Sequence, residues 1–247
     1  MITTVIFRIL GRLNYLIYRH VYTTSHLLAF MVLGSRWDKY RSSADRSRII
    51  LCGVEYQNPE SIARINDFRE WALINFPGKQ VVLFSKLVKC EVPATSGCIR
   101  QVPWEWETRA RLIHSGMSLF FGKGRLYPQK AIHAIARDAA FMFDIGSYQI
   151  SSNLDTGWTA NALSNIVFAR RYDIPFLMGT QRFGPFRYRP QTLNCIYRAM
   201  IKNIIPYVAY LGAIDDASFL YISEFSDNAV LCPNYEDFFL KSRQLLK

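Results

Sequence analysis

The sequence predicts an α/β protein with a parallel sheet flanked by helices and an amphipathic helix before it. Two observations predict this class. Continuous apolar runs of four to six residues indicate strands buried on both faces, as a parallel sheet requires. Segments of helical periodicity separate these runs, and strand–helix–strand units are normally parallel and right-handed.

The first such unit begins at Ile49. An apolar strand runs from Ile49 to Cys52, closes at Gly53, and is followed by a polar loop. The next segment predicts a helix that ends at Pro77 and Gly78. Its apolar side is predicted to hold Ile62, Ile65, Phe68 and Leu73. The run VVLF then predicts a second buried strand.

The middle of the chain is less regular. VPWEWETRARLIH predicts a short helix with Trp104 and Trp106 near its start, and MSLFFGKGR predicts a strand. PQKAIHAIARDA predicts a helix, and AFMFDIGS predicts a buried strand that ends at Gly146. TGWTANALSNIVFARRYDI predicts a helix capped by Thr156, and FLMG a strand opened by Pro175. The remainder is predicted to be mostly helical.

The first 34 residues carry no acidic side chain and form the predicted amphipathic helix. At about 100° per residue, Arg8, Arg12 and Arg19 share one narrow stripe opposite a broad apolar arc. This pattern fits a helix that lies at a membrane surface, and packing against the domain or a second subunit explains it equally well. Residues 35–47 are interpreted as a linker, and 48–247 as the α/β domain.

Composition excludes several classes of function. The chain has 247 residues, a net charge of +11 and five scattered cysteines without a CxxC pair. We therefore expect a cytoplasmic protein with no disulfide framework and no metal site. Residues 1–50 hold eight basic and two acidic residues, which suits an anionic surface. Because these basic residues lie along an apolar helix, we expect no nucleic-acid binding.

Glycines follow three predicted strands, at Gly53, Gly146 and Gly179. Parallel sheets place ligands beyond the carboxyl ends of their strands, and a glycine there lets backbone N–H groups approach an anion. Gln181 and Arg182 could add side-chain donors. Ordinary loop chemistry explains such glycines equally well, and no G-x-G-x-x-G follows a strand.

Two stretches resemble the polysaccharide pyruvyl transferase family: AFMFDIGSYQISSNLDTGW and DIPFLMGTQRFGPF. The resemblance covers roughly residues 48–240, and GPF is its most specific part. It implies one Rossmann-like half of a two-domain GT-B-like fold, with the second half absent. The matching residues are Asp144, Gly146, Ser147, Tyr148, Ser151, Pro175, Gln181, Gly184, Pro185 and Phe186, and Asn58 and Glu60 correspond to an early family loop.

This resemblance implies transfer of a pyruvyl group from phosphoenolpyruvate to a sugar of a cell-surface polysaccharide or its lipid-linked precursor. No cofactor is implied. The reaction needs an acid and cations, for which Asp144 and Arg182 are the catalytic candidates, with Asp155 as a second carboxyl group. The implied substrate-binding residues are Asn58, Glu60, Gly146, Ser147, Tyr148, Gln181 and Gly184.

Other residues leave alternatives open. His114 and His133 are expected to be structural. Trp104 and Trp106 could stack on a sugar, although core packing is expected for at least one of them. Beyond GPF, basic side chains could face phosphate, lipid or solvent: Arg187, Arg189, Arg198 and Lys202.

An arginine of the family pattern is replaced at Ile214 or Asp215, and the family's second domain has no counterpart. The chain could therefore be a fragment, half of a split enzyme that works with a partner chain, or an inactive homologue. Two other functions stay open: a GT-B glycosyltransferase that uses a nucleotide sugar, and a non-catalytic module that binds a saccharide or a partner at the inner face of the membrane.

Overall fold

The computed structural model describes residues 46–54, 59–85, 100–104, 129–146, 149–154 and 156–246. The predicted N-terminal helix, nearly all of the linker and the predicted strand MSLFFGKGR lie outside these residues. So do Asn58, Trp106, His114, Ser147, Tyr148 and Asp155.

Strands and helices alternate along most of the described chain. The strands are β1 (Arg48–Val54), β2 (Gln80–Ser85), β3 (Arg100–Pro103), β4 (Ala139–Asp144), β5 (Phe176–Gln181), β6 (Val208–Ala213) and β7 (Ala229–Leu231). The helices are α1 (Pro59–Asn75), α2 (Gln129–Arg137), α3 (Thr156–Arg171), α4 (Gln191–Ile204), α5 (Asp216–Ser223) and α6 (Tyr235–Leu245), with a 3-10 turn at Ile205–Tyr207.

The described strands form one parallel sheet in the order β3-β2-β1-β4-β5-β6-β7. The chain first builds outward from β1 through β2 to β3, and then outward on the other side from β4 to β7. The order reverses between β1 and β4, which is where open α/β sheets form a crevice for ligands. The prediction of a parallel, Rossmann-like α/β fold is confirmed.

Both faces of the sheet are buried because alternate strand residues point to opposite sides. In β1, Ile50 and Cys52 join the core beneath α2, α3, α4 and α5, whereas Ile49 and Leu51 join the core beneath α1 and α6. The second core is rich in aromatic rings, and Phe68 of α1 stacks on Phe143 of β4 with ring centroids 4.5 Å apart. Burial of each such ring stabilises the fold by about 2–3 kcal/mol.

Several predicted details are wrong. Leu73 is 46% exposed, and Ala72 takes its place in the apolar stripe of α1 with Ile65 and Phe68. Val102 and Pro103, the first residues of the predicted helix VPWEWETRARLIH, belong to β3, and the part of that helix after Trp104 lies outside the described residues. Strand β5 continues through Thr180 to Gln181 and does not stop at Gly179.

Two strands, β6 and β7, occupy part of the region predicted to be mostly helical. In β6 the apolar run VAYLGA includes an alanine and a glycine, and β7 is only three residues long. Neither strand carries the long run of branched residues that marks a strand buried on both faces.

Candidate functional site

The carboxyl ends of β4 and β5 bring several predicted site residues together. These strands are neighbours, and Asp144 pairs in register with Met178. Gly146 follows β4, Gln181 ends β5, and Arg182 comes directly after it. The side chain of Glu60 lies outside the described residues, although its backbone belongs to the first turn of α1.

Asp144 is fully buried in a polar network. Its Oδ1 atom accepts a hydrogen bond of 2.8 Å from the backbone N–H of Gly146, and Oδ2 accepts one of 3.4 Å from the side chain of Asn165. The Cys52 thiol lies 3.9 Å from Oδ2. In turn, the indole N–H of Trp104 donates to Asn165 Oδ1 at 2.9 Å. The carboxylate therefore links the ends of β1, β3 and β4 to α3.

Trp104 belongs to the hydrophobic core. It is 2% exposed, and its ring contacts Phe84 and Phe168 at centroid distances of 4.6 and 4.7 Å. The expectation that at least one of Trp104 and Trp106 packs in the core is therefore confirmed by Trp104.

Gly53 makes room for the carboxylate of Asp144. Its φ angle is +72°, which disfavours a side chain, and a Cβ atom at this position would overlap Oδ1 of Asp144. The Asp144 carboxylate thus occupies the space that a side chain at residue 53 would fill.

Helix α6 covers the edge of the sheet beside Gly146 and Gly179. The hydroxyl of Tyr235, at the start of α6, donates to the carbonyl of Ile145. A Cβ atom on Gly146 would lie 3.0 Å from this hydroxyl, and one on Gly179 would lie 3.0 Å from the Tyr235 ring. Because Asp144 engages the N–H of Gly146, that N–H is already occupied in this structure.

Gln181 is the unusual residue of this edge. Its side chain is 3% exposed, yet neither amide atom, Oε1 or Nε2, has a hydrogen-bond partner in the described structure. A Cβ atom on Gly146 would lie 3.2 Å from Cβ of Gln181, so the side chain leaves the sheet beside the loop after β4. A buried amide without partners costs about 1–3 kcal/mol.

Arg182 is exposed, and its positive charge lies close enough to the Asp215 carboxylate to contribute to lowering the pKa of Asp215. The pKa of Asp215 is lowered mainly by hydrogen bonds from Ser218, whose backbone N–H donates to Oδ1 at 2.7 Å, and less by Arg182. Asp215 is the N-cap of α5. The position that could carry an arginine in the family pattern thus serves to begin a helix.

The segment Phe183–Phe186 is fastened to the loop after β4. Ile150 and Phe183 form a β-bridge, and the N–H of Gly184 donates to the carbonyl of Ile150 at 2.9 Å. The Ser151 hydroxyl donates to the carbonyl of Gly184 at 2.7 Å. A Cβ atom on Gly184 would lie 2.5 Å from the ring of Tyr221, so a glycine at this position leaves room for Tyr221 of α5 to pack.

Ser152 adds three bonds to the same junction. Its N–H and hydroxyl both donate to the carbonyl of Pro185, at 2.8 and 2.7 Å. Its Oγ atom also accepts from the N–H of Arg187 at 3.0 Å. The loops after β4 and β5 are therefore one connected structure.

A groove of about 620 Å³ opens beside this junction. It is lined by Ser152, Asn153, Leu154, Thr156, Pro185, Arg187, Tyr188, Arg189 and Leu193. The sequence places Arg187 and Arg189 in a basic region, Thr156 at a predicted helix cap and Pro185 in the stretch that carries the resemblance, but it assigns none of them to a groove. The two arginines on either side of Tyr188 are the sequence signal that could have indicated the cationic part of the lining.

His133 takes no part in this edge. Its Nδ1 atom bonds the Tyr172 hydroxyl between α2 and the end of α3. Burial, and then Arg171 and Arg137, lower its pKa below 6.5. Among the described residues, no group of three or more His, Cys, Asp or Glu is arranged to bind a metal ion. No described helix is long and apolar enough to cross a membrane.

Comparisons of the chain with protein-family models, with curated proteins and with solved structures found no match.

Proposed function

We propose that this chain is a pyruvyl transferase-like protein. It binds phosphoenolpyruvate at the carboxyl ends of β4 and β5 and transfers the pyruvyl group to a sugar of a polysaccharide or its lipid-linked precursor. The observation that carries the proposal is Gln181, a buried amide without partners that directly precedes the exposed Arg182. Open parallel sheets bind ligands at this edge.

Each residue has a stated role in the proposal. Arg182 binds the phosphate or carboxylate of phosphoenolpyruvate through charge-assisted hydrogen bonds. Gln181 and the loop Gly146–Tyr148 orient the substrate, and Gly184 shapes the neighbouring turn. Asn58 and Glu60, which follow β1 in the sequence, are proposed to bind the substrate as well, and β1 lies beside β4 in the sheet.

The reaction balances with one proton donor. A carboxylic acid protonates the methylene carbon of phosphoenolpyruvate, two sugar hydroxyl oxygens bond to the adjacent carbon, and the bond from that carbon to the phosphate oxygen breaks. Of the two hydroxyl protons released, one restores the acid and the other leaves with inorganic phosphate. Asp144 is the proposed acid. Because its Oδ1 now accepts from Gly146, this role requires the loop after β4 to open first. The protein is proposed to act in the cytoplasm at the inner membrane face.

A non-catalytic saccharide-binding module is the second candidate. It is favoured by the burial of Asp144 and by the protein groups that occupy the space around Gly53 and Gly146. The third candidate is a glycosyltransferase domain. It would bind a nucleotide sugar at the carboxyl edge of the sheet, where the strand order reverses between β1 and β4.

Thermal stability with and without ligands separates these functions. Phosphoenolpyruvate should raise the melting temperature of the full chain, because a ligand that binds only the folded state stabilises it. Arg182→Gln should weaken this binding roughly 10- to 100-fold, the effect expected from one charge-assisted hydrogen bond. Arg243→Gln, an exposed arginine of α6, is the matched control and should bind normally.

Stabilisation by uridine or guanosine diphosphate sugars alone would replace the proposal with the glycosyltransferase. Stabilisation by free saccharides alone would indicate the binding module. Pyruvylation of extracted glycolipids, assayed with any partner chain restored, then tests the transfer itself.

A further inference from the structure

The groove beside the loops after β4 and β5 carries positive charge. Arg187 and Arg189 both line it, and no carboxylate does so among its described lining residues. Asp155 lies between two lining residues in the sequence but outside the described part of the chain. The rest of the lining is uncharged, with Leu154, Pro185 and Leu193 as its apolar part.

A buried tyrosine lies between the two arginines. Tyr188 is 4% exposed, stacks on Tyr197 with centroids 4.8 Å apart, and shares a 2.9 Å hydrogen bond between its hydroxyl and that of Thr159. Its neighbours Arg187 and Arg189 are both exposed, and all three residues line the groove. The tyrosine therefore anchors the segment in the core while both arginines remain accessible to solvent.

Hydrogen bonds also hold the backbone of this segment. The N–H of Arg187 donates to Ser152 Oγ, and the N–H of Tyr188 donates to Asn194 Oδ1, each at 3.0 Å. A site whose backbone is already ordered loses less conformational entropy when it binds a ligand. The backbone that carries the two arginine side chains is therefore held by hydrogen bonds before a ligand binds.

Neither of these guanidinium groups forms an ion pair with a described residue, in contrast to Arg48 and Arg198. Arg48 pairs with Asp138 at 3.3 Å, and Arg198 pairs with Glu224 at 3.3 Å. Arg170 lies over the ring of Tyr207, 4.5 Å from its centroid. Two neighbouring cations with no carboxylate partner among the described residues are suited to an external anion.

We infer that this groove is a binding site for the phosphate group of an organic phosphate ester. Guanidinium groups bind phosphate oxygens through paired, charge-assisted hydrogen bonds. The apolar lining contacts the carbon skeleton of the ester, and a volume of about 620 Å³ admits a ligand the size of a sugar phosphate. The groove lining includes neither Gln181 nor Arg182, the two residues on which the proposed phosphoenolpyruvate site rests.

Titration of the full chain with inorganic phosphate, pyrophosphate and glucose 1-phosphate at low ionic strength tests the inference. The double variant Arg187→Gln/Arg189→Gln should bind pyrophosphate and glucose 1-phosphate at least tenfold more weakly, since each lost charge-assisted bond weakens binding by that order. The control Lys202→Gln/Arg243→Gln removes the same charge from exposed positions outside the groove lining. It should stay within about twofold of the unaltered chain.

A vesicle assay identifies the source of the phosphate. Vesicles of phosphatidylcholine with and without phosphatidic acid are compared for the unaltered chain and both variants, which all share the same N-terminal segment. A groove-dependent gain with phosphatidic acid but not with glucose 1-phosphate assigns the phosphate to a lipid, and the opposite result assigns it to a soluble ester.

Either of these outcomes supports the site. The inference is overturned if the groove variant binds every probe as the unaltered chain does, or if the unaltered chain binds none of them. No step of this test uses phosphoenolpyruvate, so its failure leaves the proposed function to be judged by the Arg182 experiment.

Discussion

Gln181 and Asn165 are two buried amides with opposite hydrogen bonding. Asn165 accepts from Trp104 and donates to Asp144, so both ends of its amide have partners. Gln181 is equally enclosed, but its amide has no partner within the described structure. Burial without hydrogen bonds is unfavourable, so such a group in a native protein needs an explanation, and a binding role is the one proposed here.

Gln181→Leu is therefore expected to stabilise the protein. Leucine has a similar size and no polar atoms, so the free energy of unfolding should rise by about 1–3 kcal/mol in urea titrations. Asn165→Leu is the control, and should lower it by at least about 2 kcal/mol because Trp104 and Asp144 lose their partner. A loss of stability in Gln181→Leu would mean that its amide is satisfied and would remove the argument for a binding role.

At the scale of elements, the loops after β4 and β5 behave as one unit. Ile150, Ser151 and Ser152 bond to the backbone of Phe183–Arg187, and Tyr188 anchors the far end in the core. Movement of one loop therefore requires movement of the other. Both the proposed substrate edge and the arginine groove depend on this junction for their shape.

Ser152→Ala should loosen the junction without unfolding the domain. The substitution removes the hydroxyl bonds to the Pro185 carbonyl and the Arg187 N–H, which together contribute about 1–3 kcal/mol. Amide hydrogen exchange at Gly184 and Arg187 should accelerate roughly tenfold or more. Ser223→Ala, which removes a hydroxyl bond to the Leu220 carbonyl within α5, is the control. Unchanged exchange at both amides would show that the loops are held by other contacts.

The sequence predicts elements well where one periodicity is strong. Strands β1, β2 and β4 and helices α1, α2 and α3 were recognisable because their apolar residues follow a single pattern. The end of β5 was not, because Thr180 and Gln181 are polar and only the pairing of Gln181 with Ala213 in β6 reveals the strand. Strand β3 was hidden in the same way, since Arg100 and Gln101 gain their strand character from pairing with β2.

At the scale of the whole molecule, the sequence could indicate which edge of the sheet is functional but not what fills it. A parallel sheet sends every strand end to the same side, so Gly53, Gly146 and Gln181 were predictable neighbours of this edge. The sequence does not reveal that the space at Gly53 holds Asp144, or that α6 returns to place Tyr235 beside Gly146. Such contacts join residues about 90 positions apart and depend on the complete fold.

His133 connects the stability of the whole domain to pH. Burial, Arg171 and Arg137 each disfavour its protonated form, so its pKa in the folded state lies below 6.5. In the unfolded chain the imidazole takes up a proton near its ordinary pKa of about 6.5. As the pH falls through this value, the unfolded state binds more protons than the folded state, and folding becomes less favourable.

The free energy of unfolding should consequently rise as the pH increases from about 5 to 7 and level off above the ordinary histidine pKa of about 6.5. His133→Gln should reduce this rise, because glutamine does not titrate while it keeps a polar atom near the Tyr172 hydroxyl. Urea titrations of both proteins across this range provide the comparison, and the shared contribution of other groups, including the lowered pKa of Asp215, cancels in the difference. Parallel curves for the two proteins would show that the domain tolerates a protonated His133, and that α2 and α3 separate enough to hydrate it.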